Sequence, residues 1–168
     1  LFVYVPDVLI TKGTYANNKA IAMGSATRAY GGAIFLGADG ASSRLVLDPT
    51  DGSITFSGNT VTTRANAGDA GTTRAYAIHF GRSGHSNAVV DAFLTIQDSQ
   101  GNNNLIMIAD GITTDLNDDK TFTMAQSGGN FLWGGPNLFD SAGGNTVSLT
   151  GGTMRLMSGF ALDRGAAN

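Results

Sequence analysis

The sequence predicts an all-β chain, a right-handed parallel β-helix that runs over residues 1–168 as a single segment of roughly seven rungs. Three observations predict it. Short apolar runs alternate with polar residues from end to end, a tetrapeptide recurs with its flanking strands, and helix-favouring surface residues are nearly missing. All thirteen acidic residues are Asp, Lys occurs only at 12, 19 and 120, and 24 Gly stand among many Thr, Asn and Ser. Glu and Lys are good surface-helix formers, whereas Gly, Asn, Asp and Ser make turns.

The strands follow in order. Ala33–Leu36, Arg44–Leu47, Ile54–Phe56, Ala77–Phe80 and Phe93–Ile96 are apolar runs bounded by Gly, Asn, Asp or Ser. Leu105–Ile108, Thr121–Met124, Phe131–Trp133, Thr146–Leu149 and Met154–Met157 continue the series. Leu45-Val-Leu47, Ile54-Thr-Phe56, Leu94-Thr-Ile96 and Phe122-Thr-Met124 show the period of two of a half-buried strand. Lys19–Met23 is the only stretch that reads as a helical turn. Asp48 and Asp51, either side of Pro49, read as turn residues.

The repeat carries most weight. Thr27-Arg-Ala-Tyr30 recurs as Thr73-Arg-Ala-Tyr76. Each copy leads into a strand (GAIFLG, AIHFG), then a second (RLVLD, FLTIQD) and, after an Asp/Gly-rich turn, a third (ITFSG, LIMIADG). Such a unit cannot bury its apolar face alone, so neighbours must stack. Each copy is expected to span two rungs of roughly 20–25 residues. An antiparallel sandwich also has short strands with frequent turns. Against it, hairpin-type Asp-Gly pairs such as those at 39–40 and 51–52 are few, while paired glycines at 31–32, 128–129, 134–135, 143–144 and 151–152 suit sharp corners with positive φ.

The composition excludes some classes. A net charge of −3 gives no basic footprint for nucleic acid. No run approaches the roughly 18 apolar residues of a membrane helix. There is no Cys, so the core must come from stacking rather than disulfides. The opening LFVYVPDVLI lacks a basic flank and is broken by Pro6 and Asp7, so it is not read as a signal peptide. Starting without Met in what reads as a strand, the chain is taken as a piece of a longer passenger.

Gly31-Gly32-Ala33-Ile34 reads GGAI, and Phe56-Ser-Gly-Asn59 reads F-x-x-N; Tyr15-Ala-Asn-Asn18 repeats the second pattern with Tyr for Phe. This ordered set resembles the paired motif of polymorphic outer-membrane autotransporters and AIDA-type passengers, over roughly residues 8–80. The resemblance implies a surface-exposed or secreted passenger whose parent is anchored in a bacterial outer membrane. It further implies a non-enzymatic adhesin, or a rigid scaffold for loops, with a host-cell surface protein or glycan as partner and a role in virulence. On physical grounds, Phe56 points into the interior and stacks on Tyr15, while Asn59 and Asn18 take corners, where Asn tolerates the left-handed conformation and can form ladders.

Candidate chemistry is sparse, and no cofactor, metal ligand set or catalytic constellation is expected. His79 lies within a strand and His85 in a polar loop near Ser83, Ser86 and Asp91, without a nucleophile elbow. Asp110, Asp115, Asp118 and Asp119 form the densest acidic cluster; their oxygens suit calcium, but the spacing fits no EF-hand, and a solvated loop is the expectation. Phe131, Trp133 and Phe139 are the candidate ligand-binding surface: they either stack on sugar rings or close the core. Two alternatives to the passenger stand beside it. One is a β-helical carbohydrate-binding or carbohydrate-cleaving module of lyase or tailspike type, which needs facing carboxylates. The other is a self-assembling filament or matrix subunit that joins through open strand edges.

Overall fold

The computed structural model describes residues 2–3, 7–24, 29–37, 41–66, 69–81, 91–116, 120–140 and 143–163. Among them all regular structure is β, and no helix occurs. The first parallel sheet holds β1 (Phe2–Val3), β5 (Ile34–Leu36), β10 (Tyr76–Gly81), β13 (Gly111–Asp115), β16 (Pro136–Asp140) and β19 (Ala161–Asp163), in that order. The second runs β2 (Asp7–Ile10), β6 (Ser43–Leu47), β11 (Ala92–Ile96), β14 (Thr121–Gln126) and β17 (Gly144–Leu149). The third runs β3 (Gly13–Ala16), β7 (Ile54–Ser57), β12 (Leu105–Ile108), β15 (Asn130–Trp133) and β18 (Thr153–Leu156). A fourth, three-stranded sheet joins β4 (Lys19–Met23) to β8 (Thr60–Arg64) in parallel and β8 to β9 (Thr72–Arg74) antiparallel. From β10 onward the chain visits the first, second and third sheets in strict rotation, each strand pairing with the one laid down a visit earlier.

Alternation places the core as the pattern requires. In β6, Ser43, Leu45 and Leu47 are buried, with Arg44 exposed and Val46 half-buried; in β11, Ala92, Leu94 and Ile96 are buried. Register then stacks like on like: Leu45 pairs with Leu94 and Leu94 with Met124, while Ile54 pairs with Ile106 and Ile106 with Phe131. The buried apolar cluster draws on all three parallel sheets. The columns run on to the last strands, where Val147, Leu149, Leu156 and Leu162 are exposed although their register partners Met124, Gln126, Trp133 and Asn137 are buried.

Three sequence expectations are corrected. Lys19–Met23 is a strand, not a helical turn: five residues between Asn and Gly cannot nucleate a helix, and β8 offers them a complete ladder. The repeat marks one step from strand to stacked strand, not two, since Ile34 lies directly beside Ile78, 44 residues on. Neighbours are 52 residues apart at Phe56 and Ile108 but only 23 apart at Met124 and Val147. The long steps include the excursions that carry β4, β8 and β9, which halving the repeat overlooked. Consequently the parallel sheets have five or six strands among the described residues, instead of about seven. Asp39-Gly40 and the first two residues of the TRAY copy at 27–30 lie outside the described residues. Asp51-Gly52 connects β6 to β7, which belong to different sheets, so it makes no hairpin.

Candidate functional site

The motif residues meet as their spacing demands. Tyr15 and Phe56 are register partners, with ring centroids 4.7 Å apart and planes inclined by 12°. Three residues on, Asn59 is completely buried at a corner. Its Oδ1 accepts from the Asn18 side-chain amide at 2.8 Å and backbone N–H at 3.2 Å; its Nδ2 donates to the Tyr15 carbonyl and to Asp110 Oδ2, both at 2.8 Å. Asp110 also accepts from the Asn59 N–H at 2.8 Å and the Gly58 N–H at 3.1 Å. The Asn pair is therefore an Asn–Asn–Asp ladder in which every rung is bonded to the next. The left-handed positions are Asn17 (φ 57°) and its stacked counterpart Gly58 (φ 69°), one residue before the ladder, not Asn18 and Asn59 as expected. Within GGAI, Gly31 has φ 47°, and a Cβ on Gly32 would stand 2.7 Å from both the Thr60 nitrogen and the Tyr76 carbonyl. Ala33 and Ile34 are core residues beside Ala77 and Ile78.

A second corner went unread. Asp48, expected as a plain turn residue, is buried; it accepts from Gln97 Nε2 at 2.8 Å and from the Ser99 N–H at 2.9 Å. Burial raises its pKa, but the hydrogen bonds from the Gln97 amide and from Ser99 outweigh this and hold the carboxyl below its ordinary 3.8.

The aromatic candidates form a core, not a platform. Phe131, Trp133 and Phe139 are 1–2% exposed. Trp133 stacks on Phe131 at 6.0 Å and on Phe139 at 6.2 Å, meets Phe160 edge-on at 4.9 Å, and donates its indole N–H to Asn137 Oδ1 at 2.9 Å. At this exposure the ring faces are covered by one another and by Phe160, which leaves them no room to stack on a sugar.

The acidic cluster is divided by a strand. Asp110 belongs to the ladder, whereas Asp115 ends β13 on the outer face of the first sheet; Asp118 and Asp119 lie outside the described residues, as do Ser83, His85 and Ser86. The segment 111–115 is a largely buried strand rather than the solvated loop expected, because β10 and β16 pair with it on both sides. Among the described residues no three His or Asp side chains stand together as metal ligands.

Asp115 opens onto a cleft of about 470 Å³ between the first sheet and the β8–β9 hairpin. Its floor is His79 from β10, Thr113 and Asp115 from β13, and Leu138 and Asp140 from β16; Arg74 and Thr72 from β9 and Thr63 from β8 form a wall, and Tyr30 and Tyr76 complete it. Asp115 and Asp140 are register partners on adjacent parallel strands, so their backbones are about 4.8 Å apart. Arg74 Nη1 donates to the Tyr76 hydroxyl at 3.3 Å. His79 is buried, with Nδ1 2.8 Å from Thr113 Oγ1 and its ring 4.4 Å from that of Tyr30. His79 is thus a held, structural histidine at the base of the cleft. Of these residues, the sequence singles out Asp115 and His79; Arg74 enters only as a member of the repeated tetrapeptide, and Asp140 carries no local signal. The recurring Tyr30 and Tyr76 were the available signal, since both copies of the repeat deliver their Tyr to this one cleft.

In comparison with known proteins, the chain matches no family model, no curated protein and no solved structure.

Proposed function

We propose that the chain is a right-handed parallel β-helix that serves as a rigid, surface-exposed passenger segment, an adhesin or scaffold rather than an enzyme. The carrying observation is the strict rotation through three parallel sheets, with like residues stacked in register around one core. A connection between parallel strands is right-handed in nearly all proteins. Five stacked strands at ~4.8 Å make a rod of roughly 24 Å, shorter than the roughly 34 Å that seven rungs would give. The bonded Asn ladder behind the F-x-x-N motif supports the autotransporter-like reading, because it supplies a physical reason for the motif's spacing. The exposed Val147, Leu149, Leu156 and Leu162 at the column ends are surfaces that a further coil of a longer passenger would cover. Reading the flanking coding sequence tests the assignment. A downstream series of alternating strands of about ten residues is the barrel expected of an autotransporter, and its absence would overturn the reading.

One observation favours a second reading, a carbohydrate-binding or carbohydrate-cleaving module: Asp115 and Asp140 face out side by side along the cleft floor. Two carboxyls held about 5–10 Å apart are what glycoside cleavage requires. Cleavage of an oligosaccharide that persists in the Asp115→Asn, Asp140→Asn double variant excludes them as its agents.

A further inference from the structure

The cleft between the first sheet and the β8–β9 hairpin is built on rigid strands and has a volume typical of ligand sites, about 470 Å³. We infer that it binds a short, neutral oligosaccharide through the carboxylates of Asp115 and Asp140, the Arg74 guanidinium, and the phenols of Tyr30 and Tyr76. This rests on the adhesin reading and names the ligand class for it.

Two acidic side chains in register along one floor repel a polyanion such as a uronic-acid chain or nucleic acid. A purely apolar ligand would strip water from the exposed Asp140 carboxylate and Arg74 guanidinium without replacing their hydrogen bonds, at a cost of several kcal/mol. A cationic peptide gains from the floor but meets Arg74 on the opposite wall. A sugar hydroxyl is both donor and acceptor, so it can donate to Asp115 or Asp140 and accept from Arg74 in the same pose. Leu138, half-buried on β16, provides apolar surface for the C–H face of a pyranose between these polar points. The side chains come from five different strands or their flanks, so their spacing is fixed by the ladders rather than by loop conformation.

Isothermal titration calorimetry with maltotriose, cellotriose and chitotriose as neutral probes, and trigalacturonate as the anionic one, tests the inference. The expected result is that at least one neutral trisaccharide binds with a Kd of about 1 mM or tighter. Asp140→Asn, at an exposed strand end, and Arg74→Ala, on the exposed hairpin, should each weaken it about tenfold or more with an unchanged melting temperature. Arg155→Ala, on β18 of the third sheet, should leave binding as it is. The inference is overturned if none of the neutral probes binds, if trigalacturonate binds more tightly than they do, or if both cleft variants bind like the parent. These outcomes say nothing about flanking sequence, so a failed glycan site and a failed passenger assignment remain distinguishable.

Discussion

Asn59 shows how much a single corner residue can hold. From the sequence alone, replacing it by Ala would cost about 1–3 kcal/mol, the usual penalty for an unpaired buried polar group. The ladder raises that figure, because the variant also takes a side-chain donor from the buried Asp110 carboxylate and an acceptor from Asn18. Asn59→Ala is expected to lower the unfolding free energy by about 3 kcal/mol in a urea titration, whereas Asn18→Ala, at the exposed end of the ladder, should cost about 1 kcal/mol. Asp48 gives a pH prediction. Its carboxyl is held below its ordinary 3.8 in the folded chain, so the stabilisation it supplies is fully present above that value and is lost as pH falls through the folded pKa. Urea midpoints of the parent and Asp48→Asn should therefore differ by a constant amount above about pH 5 and converge at lower pH. A gap independent of pH would show that the carboxylate's charge is not what Gln97 and Ser99 stabilise. Trp133, 2% exposed among Phe131, Phe139 and Phe160, should emit in the blue-shifted range of a buried indole; a red-shifted peak would mean that the aromatic core opens to water.

At the scale of elements, the alternating strands that the sequence revealed, such as β6, β7, β11 and β14, are buried on one face, while β5 and β10 were legible as continuous apolar runs buried on both. Leu105–Ile108 was read with its observed limits, and Arg44–Leu47, Phe93–Ile96 and Phe131–Trp133 each fell one residue short. Their alternation is written by the core itself. Among the strands missed, two kinds stand out. Thr60–Arg64 and Thr72–Arg74 are mostly polar and pair with each other, bridged by a 2.9 Å contact between the Thr62 and Thr73 hydroxyls. Gly111–Asp115 is buried on both faces and shows no alternation, so its two threonines disguised it as a loop. The β8–β9 hairpin sits at the cleft wall and depends on few buried side chains. Gly71 (φ 72°) immediately precedes β9, and a Cβ there would run into the Arg64 side chain and the Thr63 carbonyl. Gly71→Ala is expected to speed amide exchange in 60–64 and 72–74 while leaving protection of β11 and β14 intact. Uniform loss of protection would instead make the hairpin part of the core's cooperative unit.

Across the whole molecule, the stacked columns explain how a chain without cysteine reaches stability, and also where it is exposed. Val147 and Leu149 on β17 and Leu156 on β18 sit at sheet edges whose backbone groups have no further strand beside them among the described residues. Such edges invite pairing with another chain. Light scattering of the isolated segment is expected to rise with concentration, and Leu149→Lys with Leu156→Lys should suppress the rise. Concentration-independent scattering of the parent would remove self-assembly from consideration. The same architecture sets the position of the cleft: only the early, long steps carry the extra strands that wall it, while the 23-residue steps near the end leave the sheets bare.

By itself the sequence determined that the chain is all-β, where ten of its strands lie, and that Tyr15 stacks on Phe56 with Asn residues at the next corner. These follow from local periodicity and from a spacing repeated within the chain, both of which act over a few residues. Only the tertiary structure decided the length of each step, the strand identity of Lys19–Met23, the entry of Asp110 into the ladder and the convergence of Arg74, Asp115 and Asp140 on one cleft. Those residues are separated by up to 66 positions and meet because parallel strands bring distant segments within about 4.8 Å, a proximity that no local pattern encodes.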